Sequence, residues 1–143
     1  DQYGEISPLC DISSKGYSAS MSDLNSYLGY IQMAEVNTIL TKQRSNAEKW
    51  DKIIVDYSNI KPISKRGEIE PNYWIYGVLV KNNKLDSILH FREKGYYASG
   101  VHLNNNCYSV FGKQEELPGV NQFMKSFIAL PCGWWIDTIP NGI

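Results

Sequence analysis

The run Tyr73-Trp74-Ile75-Tyr76-Gly77-Val78-Leu79-Val80 constrains this chain more than any other feature. It is rich in β-branched and aromatic residues and apolar on both alternating sides, so it reads as a central strand that needs cover on both faces. Pro71 stands just before it and Asn82-Asn83 offers a turn just after it. The rest of a 143-residue chain has to supply the cover.

Two helical segments precede the strand. The first is expected to start near Ser20, where Ser20-Met21-Ser22-Asp23 offers a capping hydroxyl and an acid three places on. Leu24, Tyr27, Leu28, Ile31 and Ala34 then recur at helical spacing as one buried stripe, with Met33, Val36 and Leu40 on an adjoining one. A second capping box, Ser45-Asn46-Ala47-Glu48, marks a second helix that places Trp50, Ile53, Ile54 and Tyr57 on one face and ends before Pro62.

Beyond the central strand, Leu85 to Phe91, Tyr96 to Leu103 and Cys107 to Phe111 read as shorter strands separated by turns, which gives an antiparallel meander. After Pro118 the spacing of Val120, Phe123, Met124, Phe127 and Ile128 favours a short helix, although Ser126 to Leu130 also reads as a strand. The tail Gly133 to Ile139 is expected as an edge strand closed by Pro140. The expectation is a single α+β domain over residues 1–143, with an extended lead-in at 1–20, helices in 21–58 and mainly sheet in 73–143. Its N-terminal helices would pack on the meander, followed by a C-terminal helix and an edge strand.

Composition narrows the functional classes. A net charge of −1, with basic residues scattered among acidic ones, leaves no stripe to follow a nucleic-acid backbone or an anionic membrane. The longest apolar runs fall well short of the roughly 20 residues that cross a bilayer. No sequence motif points to a cofactor, so none is expected. The cysteines have no C-x-x-C spacing and the two histidines, His90 and His102, do not stand at helical spacing, so no metal site is expected either.

Three cysteines allow three single disulfides. A Cys107–Cys132 bond would staple the meander to the C-terminal segment, with a bond from Cys10 to one of them as the alternative. A thiol nucleophile needs a histidine within reach, and on the meander reading His90 and His102 lie out of register on neighbouring strands. Acidic pairs such as Glu68 with Glu70 or Glu115 with Glu116 read as solvated surface rather than glycosidase carboxylates. No catalytic residue, and no enzyme, is expected. The opening at Asp1 rather than methionine suggests that an export leader was removed, which points to a periplasmic or secreted location.

What remains is surface for recognition. The connection from Gly112 to Gly119 carries Lys113, Glu115 and Glu116, and the polar stretch before the strand carries Glu68 and Glu70. Trp134 and Trp135 are adjacent, so on a strand one of them faces outward as an interface anchor. With its size, its Asp1 start, Cys107 and Cys132, and helices before a meander, the chain resembles the small periplasmic immunity proteins that bacteria keep against peptidoglycan-cleaving effectors or bacteriocins. The resemblance implies a partner, a cognate toxin whose active site is blocked, with a homodimer compatible with the exposed tryptophan. The rival readings are a pilin-like or other structural subunit and a small secreted hydrolase.

Overall fold

The strand forms over Ile75–Val80 (β2) in the computed structural model, which describes residues 7, 9–17, 20–63, 67–137 and 139. It is the middle strand of a three-stranded antiparallel sheet, between β1 (Ile60–Pro62) and β3 (Phe127–Pro131). Ile60 stands opposite Val80, and Ile75 opposite Pro131, so both edges of β2 find ladder partners. Tyr76, Val78 and Val80 are buried while Ile75, Gly77 and Leu79 are half-buried. Gly77 has a steric reason: a Cβ there would stand 2.7 Å from Ile63 Cδ1 and 3.0 Å from Phe127 Cε2.

The buried face is covered by two helices, α2 (Val36–Ile54) and α3 (Lys84–Glu93). Trp50 of α2 is the centre of this layer, fully enclosed, with the Tyr96 ring edge-on at 4.9 Å and the Tyr76 ring stacked at 6.2 Å. Its indole donates to the Pro131 carbonyl at 2.9 Å, which satisfies the one polar atom that burial would otherwise strand. Asn46, also buried, donates to the carbonyls of Gly133 and Ile136 and fixes the C-terminal turn against α2. Helix α4 (Pro118–Ser126) leads directly into β3, with Phe123 stacked on Phe127 at 5.0 Å.

An α+β class is what forms, but the meander does not. Residues Leu85 to Phe91, expected as a strand, lie in α3. Asn83 Oδ1 caps that helix by accepting from the amides of Leu85 and Asp86. Gly95, at φ 88, ends it: its amide donates to Arg92 and that of Tyr96 to Phe91, the two bonds of a Schellman motif. Of the span Tyr96 to Leu103 only Ser99 pairs, with Ala129 along the outer edge of β3, and Cys107 to Phe111 forms short 3-10 turns. Among the described residues from 73 onward, helix and turn therefore outweigh sheet.

The capping box at Ser45 does not start a helix either, because nothing interrupts α2 between Val36 and Ile54 and Ser45 lies in its interior. The first helix, α1 (Asp23–Gln32), is capped by Ser22, whose hydroxyl accepts from the Asn25 amide. A 3-10 turn, Met33–Glu35, joins it to α2. The stripe expected to be buried is exposed, and no residue of α1 is buried. The tail expected as an edge strand makes a turn at Trp134-Trp135, since the edges of the sheet belong to β1 and β3. Part of the lead-in is tied down: the Asp11 carboxylate accepts from the Ser109 amide and hydroxyl at 2.8 and 2.6 Å.

Candidate functional site

The start of α3, the segment from Gly100 to Asn104 and one side of α4 enclose two abutting hollows of about 340 and 430 Å³. Lys84, His102 and Leu103 line both, so the pair is one groove. Each wall follows from local sequence. Asn83 caps α3 and thereby sets Lys84 at its first helical position. Lys84 is half-buried and donates to the Met124 carbonyl at 3.0 Å, tying α3 to α4. Lys125, one residue on, lines the same groove. Asn104 donates to Asn121 Oδ1 at 2.8 Å and ties the loop to α4.

The loop itself is strained. Val101, a β-branched residue, has φ 60, and the His102 amide donates to the Gly100 carbonyl at 2.9 Å around it, as in a tight γ-turn. Such a conformation persists only where surrounding contacts hold it, here the Ser99 hydroxyl that accepts from the Val101 amide. The turn brings the exposed His102 ring to 6.2 Å from that of Trp74.

Chemically the groove is cationic and amide-lined. Among the described residues that line it there are two lysines and one histidine and no carboxylate. Asn104 Oδ1 is enclosed and takes no donor among the described residues. Ammonium groups with amide donors and acceptors suit a ligand that carries both negative charge and hydroxyls.

The sequence-expected sites lie elsewhere. Lys113, Glu115 and Glu116 are exposed in the connection before α4, outside the groove. Glu68 is exposed, and Glu70 pairs with Arg44 at 3.1 Å. Trp134 and Trp135 stand edge to face with ring centres 6.0 Å apart, on the side of the molecule that Asn46 holds. A Cβ on Gly133 would fall 2.3 Å from the Trp135 ring, so this indole lies close over the turn, and both tryptophans remain exposed.

All three cysteines are free thiols. Cys107 is exposed on a 3-10 turn while Cys132 is fully buried, its Sγ donating to the Gln43 carbonyl at 3.4 Å, so neither expected disulfide forms. Burial, and secondarily the Asp51 charge, pushes the Cys132 thiol up to about 12, the opposite of what a nucleophile needs. His90 lies on α3 and His102 in the loop, not on paired strands.

With Leu85 to Phe91 read as a strand, nothing in the sequence singles out Lys84, Lys125 or Asn104, and His102 stands out only as a candidate base or metal ligand. The available signal was local: Asn83 as a cap, Leu85, Ile88 and Phe91 at helical spacing, and Gly95 as a stop.

Comparison with known proteins corrects the functional expectation. The model of the DegT/DnrJ/EryC1/StrS aminotransferase family matches residues 3–138. Among solved structures, the sugar aminotransferase CalS13 from Micromonospora echinospora superposes with a TM-score of 0.75 at 23% identity, over 85% of this chain and 33% of that one. AtS13 from Actinomadura melliaura gives 0.69 at 25%, over 88% and 34%. PseC of Helicobacter pylori, an aminotransferase involved in pseudoaminic acid biosynthesis, gives 0.67 at 19%, over 89% and 36%. With CalS13 and PseC the likeness is one of fold. No curated protein matches. The chain spans about a third of the length of the solved aminotransferases it resembles.

These matches overturn the immunity-protein resemblance, and with it the toxin partner and the non-enzymatic role; the pilin-like and secreted-hydrolase readings find no support either. No helix among the described residues is long and apolar enough to cross a membrane. The match over residues 3–138 places the chain in the DegT/DnrJ/EryC1/StrS aminotransferase family.

Proposed function

We propose that this chain forms a substrate-facing wall of a sugar aminotransferase, an enzyme that moves an amino group onto a keto sugar. The observation that carries the proposal is the family match from residue 3 to residue 138, which includes the whole groove between α3 and α4. Lys84 and Lys125 would hold an anionic group of the sugar substrate, and Asn104 with Asn121 would meet its hydroxyls. The strained turn at Val101 would hold His102 at the mouth of the groove.

One solved relative, Spr1654 from Streptococcus pneumoniae, is a putative sugar aminotransferase seen in a PLP form. Pyridoxal phosphate is held by a lysine that binds it covalently and an acid or arginine facing the ring nitrogen. The described residues do not fit that set. No described lysine is buried, and Lys84, the one most drawn into a cavity, is committed to the Met124 carbonyl in a groove with no carboxylate among the described residues that line it. Asp51 lies in a separate cavity, where it accepts from the Tyr76 hydroxyl at 2.6 Å. No step of the reaction is assigned to the cofactor on this chain; its role is substrate binding, with the cofactor residues on another part of the enzyme.

The test joins this chain to the two thirds of CalS13 that it does not match and measures amino transfer to a keto sugar. Replacing Lys84 and Lys125 by alanine is expected to raise KM about tenfold with kcat little changed, the mark of lost uniform binding. A fusion that loads the cofactor yet transfers nothing, or that ignores both lysines, removes the reading.

A further inference from the structure

Helix α3 turns different sides to two hollows. Lys84, Leu85 and Ile88 line the cationic groove, while Asp86, Ser87 and His90 line a second hollow of about 640 Å³. This one reaches past the turn after β2, at Asn82, to Tyr57 and Asn59 just before β1, and it is larger than either part of the groove. Its size falls within the roughly 300–1,000 Å³ that small-molecule pockets span. The buried Phe91 and the half-buried Tyr57, which packs on the core, give it an aromatic base.

Its polar groups are not spent on holding the fold. Elsewhere the amides act as pins: Gln43 donates to Asn72, Asn46 to Gly133 and Ile136, and Asn104 to Asn121. Around this hollow the side chains of Asn59, Asn82, Asp86 and His90 make no hydrogen bond among the described residues. The Asn59 backbone is fixed all the same, its carbonyl accepting from the Lys81 amide at 2.9 Å. Lys81 itself does not line the hollow, and its ammonium is committed to the Ser58 carbonyl at 2.8 Å.

The chemistry of this set narrows the ligand. A phosphate or carboxylate is held by lysine or arginine, and neither lines the hollow among the described residues. A metal ion needs at least three convergent ligands, and no such group of His, Cys, Asp or Glu exists among the described residues. An apolar ligand would bury the amides and the carboxylate without partners. A neutral ring with many hydroxyls meets every requirement: amides donate and accept, the carboxylate accepts, the imidazole does one of each, and the aromatic base takes the C–H face.

We propose that this hollow is a saccharide site, in which Asp86 and Asn82 bind hydroxyls from the α3 side and Asn59 from the β1 side, with the sugar ring lying over Tyr57. The site uses none of the residues assigned to amino transfer, so either reading can fail alone.

The test follows the side-chain amides of the full chain by NMR during titration with glucose, galactose and N-acetylglucosamine in turn. At least one sugar is expected to shift the Asn59 and Asn82 amides saturably. Asp86→Ala and Asn82→Ala, both at exposed positions, are each expected to weaken that binding about tenfold with the unfolding midpoint unmoved, while Lys84→Ala leaves it as it was. No saturable shift with any of the three overturns the proposal, as do shifts confined to the Lys84 groove. Inorganic phosphate that shifts the same amides as strongly makes this an anion site, and glycerol that does so makes it a place where any hydroxyl binds; either result overturns the saccharide assignment.

Discussion

Two stretches of the same helical region carry the same kind of pattern and meet opposite fates. In α1, Leu24, Tyr27, Leu28 and Ile31 are each about half exposed or more. In the second half of α2, Ala47 and Trp50 are fully buried and Ile54 nearly so. The difference is not apolarity, since α1 is the more hydrophobic of the two helices. It is the presence of polar pins. Gln43 and Arg44 donate to the carbonyls of Asn72 and Pro71, Asn46 to those of Gly133 and Ile136, and Trp50 to that of Pro131. Helix α1, an arm without a buried residue, makes no such long-range bond among the described residues. Helical periodicity therefore marks an apolar face without fixing whether the elements around it bury that face.

The largest expected effect breaks the comparison at its strongest point. Trp50→Ala leaves a cavity between α2, α3 and β2 and is expected to cost about 3–5 kcal/mol in urea unfolding. Leu28→Ala, at an equally apolar helical position, is expected to stay within about 0.5 kcal/mol. Equal costs would mean that α1 packs on the core after all.

Asn46→Ala comes next. It strips a donor from two carbonyls at the C-terminal turn, and leaving buried acceptors unpaired is expected to cost about 1–3 kcal/mol. A Trp135 that becomes more mobile in fluorescence, with Trp50 unchanged, would show that the loss is confined to this turn.

How much of this was legible in the sequence follows the same division. The central strand was visible because Tyr73 to Val80 is apolar on both sides, and the α+β class followed from helical periods before it. Helix α3 was missed because a short apolar run such as Leu85 to Phe91 fits a strand by composition, and its cap and stop lie outside the run. Ser45 fits a capping box equally well, yet an uninterrupted helix overrides a local cap. The groove was illegible for a deeper reason: Lys84, His102 and Lys125 meet only once α3 and α4 are placed around the Val101 turn. Helix α1 shows the helical spacing of apolar residues that the sequence suggests, yet none of its residues is buried.

Two glycines sharpen the contrast at smaller cost. A Cβ on Gly77 meets Ile63 and Phe127, whose side chains can yield only in part, so Gly77→Ala is expected to destabilise by about 1–2 kcal/mol. Gly29, inside α1, has nothing within 4 Å of its Cβ position. There, Gly29→Ala is expected to favour the helix by about 0.5–1 kcal/mol, seen as slower exchange in α1 with no change in the global midpoint. A loss of stability at Gly29 would reveal a contact that the arm makes within the chain.

The smallest effect at neutral pH belongs to Cys132, which donates to Gln43 and so reports on the anchored half of α2 alone. Burial raises its folded value from 9.0 to about 12, which means the folded state favours the neutral thiol. The sign follows: the contribution is complete below about pH 9, where the unfolded thiol is also protonated, and is lost as pH rises toward 12. By pH 10 the loss is about 1 kcal/mol. The buried Tyr76 hydroxyl, raised by burial and by its bond to Asp51, adds a loss of the same sign as its unfolded counterpart begins to ionise. Cys132→Ala is therefore expected to flatten the alkaline fall in stability without abolishing it. A thiol reagent at neutral pH should label Cys10 and Cys107 at once and Cys132 only at the rate of unfolding, because the first two are exposed and the third is enclosed. Rapid labelling of all three would mean that the second half of α2 opens as freely as the arm, and the contrast between the two stretches would collapse.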